Sequence, residues 1–314
     1  MTETLYWGVD TLMQSHSPVG GVGGKKVYQF VVDHCHHRPS FWGRYIAGVN
    51  KEYLLTKEEI EFLSKRDCFI LLIYKVQQSN LTLGSEQGNA DASSARKAAE
   101  SLEIEPKDTW IYADIEPDSA VGPDWLYGWM FGMRHSPWGG AGGFYAPTGN
   151  PGFNKTFCSA LAATEQGRGK PGSPGYRPPI PDVREKVRVY ALWPHKTFKP
   201  DENPTAQPFI PDKPVCLPDG VVIWQYDTNL FTKDGCNVDV DLATRRGLSS
   251  MYYPPSHEHR AEQVQHGHMH VRRANPTAAP DVQHDPQEIG RSSVITGARQ
   301  GEDQVLTDSG DSDK

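Results

Sequence analysis

The feature that most constrains this chain is a recurrence: short apolar, aromatic and β-branched runs alternate with turn-rich segments, and several runs are followed by amphipathic stretches. Eight runs can be marked: Leu5–Asp10, Phe41–Ala47, Phe69–Lys75, Thr109–Glu116, Ala141–Ala146, Val187–Trp193, Val221–Tyr226 and Val238–Leu242. Runs as continuously apolar as CFILLIYKV are what parallel strands covered on both sides require. The alternation predicts one α/β domain, a TIM-like (β/α)8 barrel, and 314 residues hold such a barrel of about 250 residues with a tail to spare.

Helix signals fall between the runs. At Thr56, T-x-x-E lets Thr56 cap a first turn while Glu59 reaches back, with Ile60 and Leu63 facing inward. Further helices are predicted over Ala90–Leu102, with Pro106 as the stop, from Pro123 to Met133, and over Phe153–Ala163. Gly167–Pro181, GRGKPGSPGYRPPIP, is too rich in Gly and Pro for regular structure and reads as a mobile loop over one barrel mouth. The barrel is assigned to residues 1–248. Residues 249–314 form a polar tail, disordered because from about Ser256 the aromatic residues vanish and too little apolar surface remains to offset ordering entropy.

A net charge of -7 supplies no basic stripe for phosphates, so nucleic acid is an unsuitable partner and a neutral polymer a better one. No stretch approaches the roughly 20 apolar residues of a membrane span, and MTETLYWGVD lacks the pattern of an export signal. Cys35, Cys68, Cys158, Cys216 and Cys236 have no CxxC spacing and read as buried free thiols. No cofactor or metal is called for. The tail histidines His257, His259, His266, His268 and His270 lack a scaffold, and Asp33, His34 and His36 in DHCHHR read as a polar loop near the mouth.

The strongest chemical signal is TWIYADIEPD. Asp114 and Glu116 stand two apart, hence on one strand face with an offset of roughly 6.6 Å, at the strand end where such barrels carry their catalytic groups. Two acids on one face are costly to ionise together, so one keeps its proton as donor while the other stays charged. Asp10 ends the first run, and Asp239 and Asp241 repeat the i, i+2 spacing on the eighth. Tyr145, Trp193, Trp224 and Tyr226 are candidate sugar-stacking aromatics, and Arg44, Tyr74 and Gln225 complete the candidate substrate contacts.

GVD at Gly8–Asp10, YADIE at Tyr112–Glu116, GFYAP at Gly143–Pro147, WQYD at Trp224–Asp227 and NVDVDL at Asn237–Leu242, in that order, resemble the family 25 glycoside hydrolases, the Chalaropsis-type muramidases. FWGRYIAG followed by LTKEEIEFL looks more like the related glycoside-hydrolase-like family of unknown function. The resemblance spans about residues 5–248. It implies cleavage of β-1,4 bonds in peptidoglycan, with Glu116 as general acid, Asp114 as stabiliser, and Asp10 with Asp239 or Asp241 completing an acidic floor. An enzyme made as a soluble cytoplasmic chain would then act outside the membrane, through lysis or a secretion machine. A glycan-binding barrel without turnover, or a hydrolase of a chitin-like polymer, are the competing readings.

Overall fold

The computed structural model describes residues 3–20, 24–106, 108–138, 140, 142–173, 175–192, 198–199 and 202–254. Trp193 and the histidine-bearing tail lie outside the described residues. Eight strands close in chain order into one barrel. They are β1 (Leu5–Asp10), β2 (Phe41–Ala47), β3 (Phe69–Lys75), β4 (Ile111–Asp114), β5 (Gly143–Ala146), β6 (Arg188–Leu192), β7 (Val221–Leu230) and β8 (Val238–Thr244). The helices are α1 (Val27–Cys35), α2 (Lys57–Ser64), α3 (Ser85–Ser101), α4 (Pro123–Arg134), α5 (Pro151–Gln166), α6 (Val183–Lys186) and α7 (Arg245–Leu248).

One strand departs from a fully parallel barrel. β8 runs antiparallel to both β7 and β1. The cause is the length of its connection: only residues 231–237 separate β7 from β8, whereas a parallel crossover needs a dozen or more. Phe231 and Gly235, both in the left-handed region (φ 61° and 71°), flank a 3-10 turn at Thr232–Asp234 and reverse the chain. A hairpin thus replaces the last β/α unit.

Alternation along the strands sorts side chains into two layers. Phe41, Ile73, Tyr112, Tyr145 and Tyr190 fill the barrel interior. Trp7, Trp42, Tyr74, Trp224 and Tyr226 join the helices in one outer hydrophobic cluster with Phe30, Trp125 and Trp129. Interior space is tight at the mouth, where a Cβ on Gly43 would lie 2.5 Å from the Cβ of Asp10. Glycine in β2 is therefore what admits the acid of β1.

Several local expectations change. VYQFVVDHC forms α1 although its β-branched residues are weak helix formers, because Val27, Tyr28, Phe30 and Val31 are buried against the barrel. DHCHHR consequently starts in the last turn of a helix, with Asp33 bound by Lys25 and Gln29 and the His34 ring stacked 3.9 Å from Phe30. Thr56 caps α2 through the Glu59 amide at 3.2 Å, but the Glu59 carboxylate does not reach back. It turns inward and pairs with Arg44, both side chains fully buried. The Gly/Pro-rich segment runs along the outer layer, where Arg177 pairs with Asp124, the Tyr127 hydroxyl donates to Pro178 O, and the Ile180 amide binds Thr164 O.

Two corrections concern covalent and domain structure. Cys158 on α5 is disulfide-bonded to Cys216 in the β6–β7 connection, and only Cys35, Cys68 and Cys236 are buried thiols. The barrel also extends beyond residue 248. Tyr252 pairs with Ile70, Ser250 O accepts from the Trp110 amide at 2.8 Å, and Met251, Tyr252 and Tyr253 are buried. Among the described residues, no helix is long and apolar enough to cross a membrane.

Candidate active site

Register sets the site. Lys75, Asp114, Tyr145 and Tyr190 are successive cross-strand partners on β3 to β6, so their side chains line one layer at the end where β1 to β7 terminate. Asp114, 1% exposed, accepts from the Tyr45 hydroxyl at 2.9 Å and from the Lys75 ammonium at 3.0 Å. Glu116, two residues further and about half exposed, is ion-paired with the same ammonium. The expected D-x-E pair is thus brought together, with a cation held between its members.

Burial raises the Asp114 carboxyl above the usual range, against the opposing pull of Lys75 and Tyr45. The sequence-based division of labour kept Asp114 charged and gave the proton to Glu116. Burial bears on Asp114 because its side chain sits inside the barrel, while Glu116 stands past the strand end.

The other three acids form a floor. Asp10 and Asp239 face each other across β1 and β8, and Asp241 lies one inward step deeper, opposite Gly8. Because β8 is reversed, Asp239 reaches the mouth from the start of its strand, whereas Asp10 and Asp114 reach it from the ends of theirs. Gln225 Nε2 spans the group, with Asp10 at 3.1 Å, Asp239 at 3.0 Å and the Tyr145 hydroxyl at 2.6 Å. The Tyr190 hydroxyl lies against both Asp10 and Asp241, the latter at 2.5 Å. A hydroxyl has one proton, so it donates to one carboxylate and accepts a hydrogen bond from the other acid, which keeps its proton.

The electrostatics agree with that count. Burial, then repulsion from Asp239, pushes Asp10 up to about 8. Burial and the charge of Asp10 hold Asp241 well above the carboxylate range, and burial raises Asp239 to about 6. At neutral pH the floor therefore stores protons. Tyr145 and Tyr190 stack 4.1 Å apart at 8°, and their phenols are raised further by burial and the neighbouring acids. Both Asp239 and Asp241 belong to the cluster.

Strand parity removes four of the predicted substrate contacts. Gly43 and Tyr45 point inward on β2, so Arg44 points outward, where its guanidinium binds Glu59, Thr11 O and Tyr53 O. Tyr74 packs 5.8 Å from Trp129. Gln225 faces in, so Trp224 and Tyr226 face out, with Trp224 edge-on to Phe209 at 6.3 Å. Among the described residues of that group, only Tyr145 and Gln225 reach the site. Lys75, Tyr45 and Tyr190 are site residues that the sequence pattern does not single out: i, i+2 parity groups each with its own strand face, and only barrel closure shows which face turns inward. Among the described residues, no three His, Cys, Asp or Glu side chains are gathered as a metal ion requires.

No protein-family model matches the chain, and no curated protein matches it. Among solved structures, an uncharacterized B. stearothermophilus protein aligns with 79% of this chain and 100% of its own, with a TM-score of 0.61 and 27% identity. The Mycobacterium tuberculosis Tat-secreted protein Rv2525c, in complex with L-tartrate, aligns with 76% of this chain and 95% of its own, with a TM-score of 0.44 and 11% identity. The chain shares its fold with the first of these.

Proposed function

We propose that the chain is a glycoside hydrolase cleaving β-1,4 bonds in an N-acetylated glycan, with peptidoglycan as first choice of substrate. The observation that carries this reading is the convergence of Asp10, Asp114, Glu116 and Asp239 on one mouth, with Glu116 as the accessible acid. Glu116 delivers a proton to the leaving oxygen, and Asp114 stabilises charge at the anomeric carbon or orients the acetamido group. Lys75 must release Glu116 before Glu116 can carry that proton, and a sugar filling the mouth supplies the displacement. Action outside the membrane suits the Cys158–Cys216 disulfide, since disulfides persist in oxidising compartments.

The same ion pair favours a second reading, a glycan-binding barrel without turnover, because an acid held by an ammonium is not poised to donate. Reducing ends released from purified peptidoglycan and from chitin separate the two readings and the two polymers. Glu116→Gln should abolish release while preserving fold and glycan binding. Asp114→Asn should slow it about 10²- to 10³-fold, the usual loss for one electrostatic contact in a transition state. Full turnover by Glu116→Gln would remove it as the acid, and an inert wild type would select the binding module.

A further inference from the structure

A groove of about 480 Å³ opens on the rim immediately beyond Glu116, lined by Pro117, Asp118, Ser119, Asn150, Phe153 and Thr156 among others. Its walls are the β4–α4 connection and the first turns of α5. Both walls are tied down. The Ile115 amide binds Tyr145 O at 2.8 Å, the Ser119 amide binds Glu116 O at 3.0 Å, and the Gly122 amide binds Leu81 O at 2.8 Å. Asn150 caps α5 through the amides of Gly152 and Phe153 at 2.8 and 3.2 Å, and its own amide reaches Pro117 O at 3.5 Å. A concavity held this way needs little ordering on binding.

Its chemistry selects the ligand. Hydroxyls, an amide and one carboxylate surround apolar surface from Pro117, Val121 and Phe153, and among the described residues no Lys or Arg lines it. That combination suits an uncharged ring bearing hydroxyl and amide groups, and not a phosphate or an acidic peptide. We propose that this groove is a saccharide subsite, holding the N-acetylated sugar that neighbours the one at the Asp114–Glu116 mouth. The inference rests on the reading of the mouth as a glycan site and extends it to a polymer lying across the rim beyond Glu116.

The test measures binding of N-acetylglucosamine oligomers, from dimer to hexamer, to the full chain carrying Glu116→Gln so that ligands stay intact. Affinity should rise with length. Thr156→Trp, which projects an indole from α5 into the groove, should weaken the hexamer by about tenfold or more while leaving the dimer little changed. Ala120→Trp fills the groove from the opposite wall and serves if the first variant fails to fold. Unchanged length dependence in a folded variant, or no gain with length in the parent, overturns the subsite. Reducing-end assays on the wild type keep the two ideas apart. An inert wild type whose length-dependent binding is lost in the groove variants removes hydrolysis and keeps the subsite, whereas turnover with unaltered length dependence removes the subsite alone.

Discussion

Replacing Asp10 by Asn should flatten the dependence of stability on pH. Asp10 is 3% exposed and binds its proton up to about pH 8 in the folded protein, against 3.8 for the free side chain. Between those values the folded chain holds a proton that the unfolded chain releases. Stability from this group is therefore complete below pH 3.8 and is lost as pH rises through about 8, with a slope of about 1.4 kcal/mol per pH unit. From pH 5 to pH 7 the wild type should lose about 3 kcal/mol that Asp10→Asn does not lose. Removing the Asp10 charge also removes one cause of the raised Asp241 value, which adds to the flattening. The assay is urea unfolding of both proteins at half-unit pH steps. Ionisations common to the two cancel in the difference, so parallel curves would refute the proton count at Tyr190 and the burial argument with it.

Other consequences are separable. Arg44→Met should cost about 3 to 5 kcal/mol in urea unfolding, because it leaves Glu59 buried without its partner, while a substrate-contact role would instead leave stability unchanged and weaken binding. Reducing or removing Cys158–Cys216, which closes a 58-residue separation, should lower stability by about 4 kcal/mol on the chain-entropy scale, read as a fall in the denaturant midpoint. A stop codon after Leu248 should sharply lower the melting temperature by stripping Tyr252 from Ile70 and Ser250 from Trp110 and Tyr112, whereas one after Pro254 should keep those contacts and most of that temperature.

Read alone, the sequence settled what depends on short-range pattern. Strand periodicity located all eight strands and put Asp10, Asp114 and Glu116 at one end of the barrel, since alternation and the apolar run are local properties. Local capping chemistry likewise located α2 and the start of α4. What lay beyond reach was every feature decided by partners distant in the chain. The direction of β8 follows from a seven-residue hairpin that cannot cross over, and helix α1 from burial that overrides its weak propensity. Whether Arg44 or Tyr45 enters the mouth depends on which parity of β2 the closed barrel turns inward, and one step in that parity exchanges a substrate contact for a structural ion pair. Nor does spacing reveal that Asp10 and Asp241 share Tyr190 from strands 51 to 231 residues apart in the chain, because proton affinity is set by burial and by neighbouring charge, which exist only once the barrel has closed.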